Sequence, residues 1–116
     1  MSIQPSSPGE VINVGPLGGR LETTPSSTLI ETDQVKVIRM VMKTGKALSE
    51  HKAPGLIMVQ CLEGRIEFMC RGKNNVLRAG SMLYLENLEL HSLNCLEAGS
   101  FLLTIVKESD FTSQSA

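Results

Sequence analysis

The stretch Leu56–Gly72, LIMVQCLEGRIEFMCRG, changes its pattern half-way along. Before Glu63 it is apolar at nearly every position, as in a strand covered on both faces. After Gly64 it alternates, with Ile66, Phe68 and Cys70 on one side and Arg65, Glu67 and Arg71 on the other. A period of two marks a half-buried strand. The reading is two strands separated by a Glu-Gly turn, with further turn chemistry in GKNN, residues 72–75.

The same signals recur outward from this stretch. Val35–Met42, VKVIRMVM, is rich in β-branched residues and apolar on both parities. On the other side VLRAG leads into SMLYLEN, then LHSLNCL, then SFLLTIV (Ser100–Val106) after the turn EAGS. Only KALSE reads as a helical turn, and it is too short to build on. Short strands at regular spacing with glycine-rich turns predict an all-β sandwich or barrel. Residues 1–30, rich in Ser, Pro, Gly and Thr, read as a flexible arm, residues 31–107 as the β-barrel domain and residues 108–116 as a frayed tail. Within the arm, VINV (Val11–Val14) is a candidate short strand for pairing with another subunit.

Composition narrows the classes of function. A chain of 116 residues is one domain, and a hydrophobic fraction of 41% is that of a globular one. Aromatic content of 3% with no Trp leaves the core to Leu, Ile, Val and Met, and argues against stacking on bases or sugar rings. Eleven Lys plus Arg against twelve Asp plus Glu give a net charge of −1, without the basic stripe of a nucleic-acid binder. No apolar run approaches the roughly 20 residues of a membrane span. The start, MSIQPSSPGE, lacks the basic-then-apolar order of a secretory signal. Cys61, Cys70 and Cys95 form no CxxC pair and sit in apolar runs, so they read as buried free thiols in a reducing compartment. The expectation is a cytoplasmic protein with neither nucleic acid nor membrane as partner.

Only two histidines are present, His51 in GKALSEHKAPG and His91 in ENLELHSLN. With a glycine before the His51 loop, an apolar strand closing in LEG, and LRAGSMLYLENLELHS after it, the chain from about Val35 to Val106 resembles the small single-domain cupins. That resemblance implies an antiparallel jelly-roll barrel. Gly45, His51 and Gly64 match the family's first motif, and Gly80 and His91 match the second. Glu86 stands at the second motif's proline and Leu88 at its glycine. The metal-ligand positions depart further: Ala53 replaces the second histidine of the first motif, and Ile57 its glutamate. The asparagine that follows the second-motif histidine falls on Cys95, with Asn94 one place early.

The resemblance implies that His51 and His91 face each other in the barrel. A catalytic metal generally takes three protein ligands and keeps an open position. Here only two of the family's ligands remain, so no metal is favoured. Were Zn, Fe, Mn or Ni bound, Glu89 and Cys95 would be the candidate third ligands beside the histidines. The expected site is a small apolar pocket anchored by His51 and His91 and walled by Ala53, Ile57, Val59 and Leu93, taking a small, largely apolar molecule with one polar group. The alternative is a metal-dependent enzyme of the oxygenase or isomerase type with a non-standard ligand set. A homodimer is expected, with Val35–Met42 or the N-terminal strand at its interface.

Overall fold

The computed structural model describes residues 4–107, so the tail from 108 to 116 lies outside the described residues. Seven strands follow in chain order: β1 (Ser27–Glu31), β2 (Val35–Met42), β3 (Ala47–His51), β4 (Gly55–Cys70), β5 (Lys73–Arg78), β6 (Met82–Leu85) and β7 (His91–Lys107). Every pairing is antiparallel. The central pair, β4 and β7, run together from Gly55↔Lys107 to Cys70↔His91. On one half of that pair, β6 flanks β4, while β2 and then β1 flank β7. On the other half β5 flanks β4 and β3 flanks β7. The result is a double-layered, antiparallel jelly roll, as the pattern and the resemblance imply.

The expected turns at Glu63-Gly64 and EAGS are bends inside single strands. The register of β4 on β7 slips between Cys61 and Ile66, and both strands fold over there. Gly64 has φ +81°, and a Cβ on it would lie 2.5 Å from the Ala98 carbonyl oxygen. A Cβ on Gly99 would stand 2.0 Å from the Glu63 carbonyl oxygen. Two backbones meet at this corner with no room for a side chain. The GKNN turn is displaced as well: Arg71 (φ +52°) and Gly72 (φ +73°) close a two-residue hairpin between Cys70 and Lys73. Two positive φ values in succession match the right-handed twist of the flanking strands.

KALSE is not helical, because Leu48 packs against the core and pairs with Leu93. Packing of Leu48 and pairing with β7 outweigh local helix preference in so short a segment. The arm reading also changes. Ser27–Glu31 is an edge strand, Ser6 N–H donates to Leu29 O at 2.8 Å, and Gly18–Arg20 form a 3₁₀ turn. Val11–Val14 pair with no strand, and Val11 is 98% exposed.

The core lies between the two layers. Ile57, Val59, Cys61 and Phe101 come from one, and Ile66, Phe68, Leu77, Leu93 and Cys95 from the other. Each fully buried Phe or Ile is worth about 1.5–3 kcal/mol over an exposed one. Among the described residues no helix is long and apolar enough to cross a membrane.

Candidate functional site

His51 ends β3 and His91 begins β7, and the two are direct cross-strand partners. Their side chains therefore leave the sheet on the same face. The ring centroids are 4.1 Å apart at an interplanar angle of 64°, an edge-to-face contact. His91 is buried and stacks on Phe68 at 5.4 Å, whereas His51 is exposed.

Each imidazole is oriented by a backbone carbonyl two residues earlier. His51 Nδ1 lies 2.8 Å from Ser49 O, and His91 Nδ1 lies 3.0 Å from Glu89 O. A carbonyl only accepts, so Nδ1 carries a hydrogen in both rings, and in the neutral form of each the lone pair is on Nε2. Burial pushes the His91 imidazole below the usual histidine range; the Glu89 carbonyl opposes that shift and the neighbouring His51 adds to it. His91 is thus a neutral acceptor at neutral pH.

The loops that carry the histidines are tied to each other. Gly55 N–H donates to Asn87 Oδ1 at 2.6 Å, and Leu88 N–H donates to Ala53 O at 3.1 Å. Leu88 has φ +65°. It holds a left-handed conformation with a full side chain, at the position where the resemblance places the second motif's glycine.

The expected third ligands do not join the pair. Glu89 lies in the loop before β7 rather than on it, with Oε1 2.5 Å from Arg71 Nε and Oε2 accepting Glu86 N–H at 2.7 Å. Cys95 pairs with Ile66 in the core and donates to Glu97 O at 3.1 Å, while burial pushes its thiol pKa up. Among the described residues no group of three His, Cys, Asp or Glu side chains converges. Two imidazole nitrogens fall one short of the donor set of a catalytic metal. The donor set does not fit a resident catalytic ion.

Of the expected pocket walls, Ile57 (2% exposed), Val59 (0%) and Leu93 (3%) are sealed in the core, and Ala53 packs against it. A cleft of about 350 Å³ opens between β5 and β6, floored by Cys70, Leu83 and Leu85 and rimmed by Arg71, Lys73 and Glu89. Cys70 is the cross-strand partner of His91 on β4, so it links cleft and histidine pair. Its thiol is raised by burial and by the Glu89 charge, against a smaller opposing effect of Arg71. Sequence reading missed Cys70 and Phe68 as neighbours of His91. Both lie on the Ile66-Phe68-Cys70 face, so the parity was visible and only the pairing was not.

A second polar group was missed entirely. Glu63, at the bend of β4, accepts Leu17 N–H at 3.0 and 2.9 Å, Gly18 N–H at 3.1 Å and Ser100 Oγ–H at 2.5 Å. The Arg39 guanidinium lies 3.4 Å from the same carboxylate and donates to Gly15 O at 2.5 Å. Burial alone would raise the Glu63 pKa, but the Leu17, Ser100 and Gly18 donors and the Arg39 charge bring it below the usual value. The glycine-rich stretch GPLGGR, residues 15–20, thus works as an anion-binding loop whose anion is the chain's own carboxylate. Arg39, set among Ile38, Met40 and Val41 in a largely apolar strand, was the signal that could have found it.

Layers, corner and paired histidines define a jelly-roll barrel of the cupin type. No protein-family model and no curated protein matches the sequence. Solved structures do. A conserved protein of unknown function from Streptococcus pyogenes superposes with a TM-score of 0.74 at 21% identity, over 94% of this chain and 96% of that one. A cupin superfamily protein from Desulfitobacterium hafniense gives 0.69 at 16% identity, over 85% and 84%. An RmlC-like cupin from Shewanella frigidimarina gives 0.68 at 16%, over 75% and 78%. This chain has the cupin fold.

Proposed function

We propose that the chain binds a small molecule without a resident metal, using His51 and His91 as the polar anchor at one end of an apolar barrel. What carries the reading is the pair of Nε2 lone pairs, left free because both Nδ1 atoms serve backbone carbonyls. Two acceptors side by side call for a donor, so the ligand is a small apolar body bearing a hydroxyl. Burial holds His91 neutral, which keeps it an acceptor at neutral pH. The protein works as a homodimer in the cytoplasm on this reading.

Phenol is a suitable probe, with imidazole nitrogen NMR as the readout. Phenol is expected to shift Nε2 of both histidines saturably, and the His51→Ala, His91→Ala double variant to lose that binding. Near-stoichiometric zinc, iron, manganese or nickel in the purified protein, absent from the double variant, would overturn the reading. That outcome would favour a metal-dependent enzyme, because Nε2 is also the atom an imidazole offers to such an ion.

A further inference from the structure

Strands β2 and β3 both hydrogen-bond to β7, β2 to its C-terminal half and β3 to its N-terminal half. They diverge at the turn Lys43–Lys46, and the sheet is left open between them. A groove of about 490 Å³ lies in that opening, walled by Met40, Val41, Met42 and Leu48 and flanked by Lys43 and Lys46. Met42 belongs to the buried core, and Met40 and Leu48 pack against it, so the groove floor is the edge of the barrel interior.

The turn is held firmly. Gly45 N–H donates to Cys95 O at 2.9 Å, Cys95 N–H to Lys46 O at 2.7 Å, and Ala98 N–H to Thr44 Oγ1 at 2.9 Å. Gly45 (φ +87°) makes the tight reversal possible. The two ammonium groups thus extend from a fixed frame. No carboxylate lines the groove, and neither lysine is in an ion pair among the described residues. Glu22 lines a neighbouring cleft with Leu21, Thr44 and Ala98, to which Met42 and Lys43 also contribute, and it forms no ion pair with Lys43.

We propose that this groove is a second binding site, for an unbranched aliphatic carboxylate. The carboxylate sits between the Lys43 and Lys46 ammoniums, and the chain lies along Met40, Met42 and Leu48. Two uncompensated cations above an apolar wall complement one anion with a tail, and methionine walls adapt to a flexible chain. The volume falls in the range of small-ligand sites. The site is separate from the histidine pair, since neither ring lines it.

Decanoate is the probe, and protein labelled at the methionine methyls gives the readout. Saturable shifts are expected at Met40 and Met42, with acetate giving none. The Lys43→Gln, Lys46→Gln double variant should weaken decanoate binding about fivefold or more, from two solvent-facing ion pairs. Both lysines are exposed, so that variant keeps its fold, which unchanged His91 resonances would verify. The His51→Ala, His91→Ala variant should bind decanoate undiminished, so the two sites fail separately. Three outcomes would each overturn the proposal: no saturable shift at Met40 and Met42 with millimolar decanoate, shifts confined to Met58 and Met82 on the outer face, or undiminished binding by the lysine variant.

Discussion

Leu88 sits at φ +65° with half its surface in water. A left-handed conformation costs a residue with a Cβ about 1–2 kcal/mol, and glycine adopts it freely. The conformation persists because Leu88 N–H is pinned to Ala53 O, which joins the loops of the two histidines. Leu88→Gly is expected to raise stability by about 0.5–1 kcal/mol, after subtracting glycine's greater entropy loss on folding. Urea unfolding measures it, and an unchanged or lowered midpoint would show that the loop is not under tension. At this scale the sequence was read well where backbone geometry demanded glycine: Gly45, Gly64 and Gly80 all have positive φ. Ala53 and Ile57 were read as the walls of a pocket, whereas Ile57 is sealed in the core and Ala53 packs against it. Glu89 was not, because strand parity placed it beside His91 and the chain is still in its loop there.

Strands were legible as elements from periodicity, while their joints were not. Glu-Gly and Ala-Gly mark a reversal and a bend equally well, so β4 and β7 were each read as two strands. The N-terminal segment escaped for another reason: its anchor is a set of hydrogen bonds to Glu63, about 46 residues away, which leaves no local pattern. Removing one member of so well-buried an ion pair typically costs about 3–5 kcal/mol. Glu63→Gln should therefore lose about 3 kcal/mol in urea unfolding and expose residues 13–20 to protease. The pH dependence has a definite sign. Because the folded pKa of Glu63 lies below its unfolded value of about 4.3, its contribution is complete above that pH and lost as pH falls through the folded value. The variant should show a shallower acid limb. An equally steep one, with the segment still protected, would dissociate Glu63 from the anchoring.

At the scale of the whole molecule, one broad sheet face carries exposed apolar side chains among the described residues. The rows Met58–Tyr84 and Gln60–Met82 continue across β7 through Thr104 and Leu102, with Val106 beside them. Tyr84 (61% exposed), Met82 (57%) and Val106 (38%) stand in water there. A patch led by exposed apolar side chains suits a self-complementary contact about a two-fold axis. Sedimentation should find a dimer at micromolar concentration that Tyr84→Lys with Met82→Lys converts to monomer; a monomeric parent protein would remove the dimer from the proposed function. Composition could suggest such a face but not place it, since placement depends on which strands share a layer.

The corner where Gly64 meets Gly99 has a wider consequence. Because β4 and β7 both continue through that corner, the same two strands build both layers, in registers that differ by one residue on its two sides. A slip of one residue on either side of the corner would turn that side's inward residues out of register, Val59 and Phe101 or Phe68 and Leu93, and on the second side would part Cys70 from His91. Neither half can be excised, transplanted or rearranged by itself. The molecule assembles as an indivisible piece.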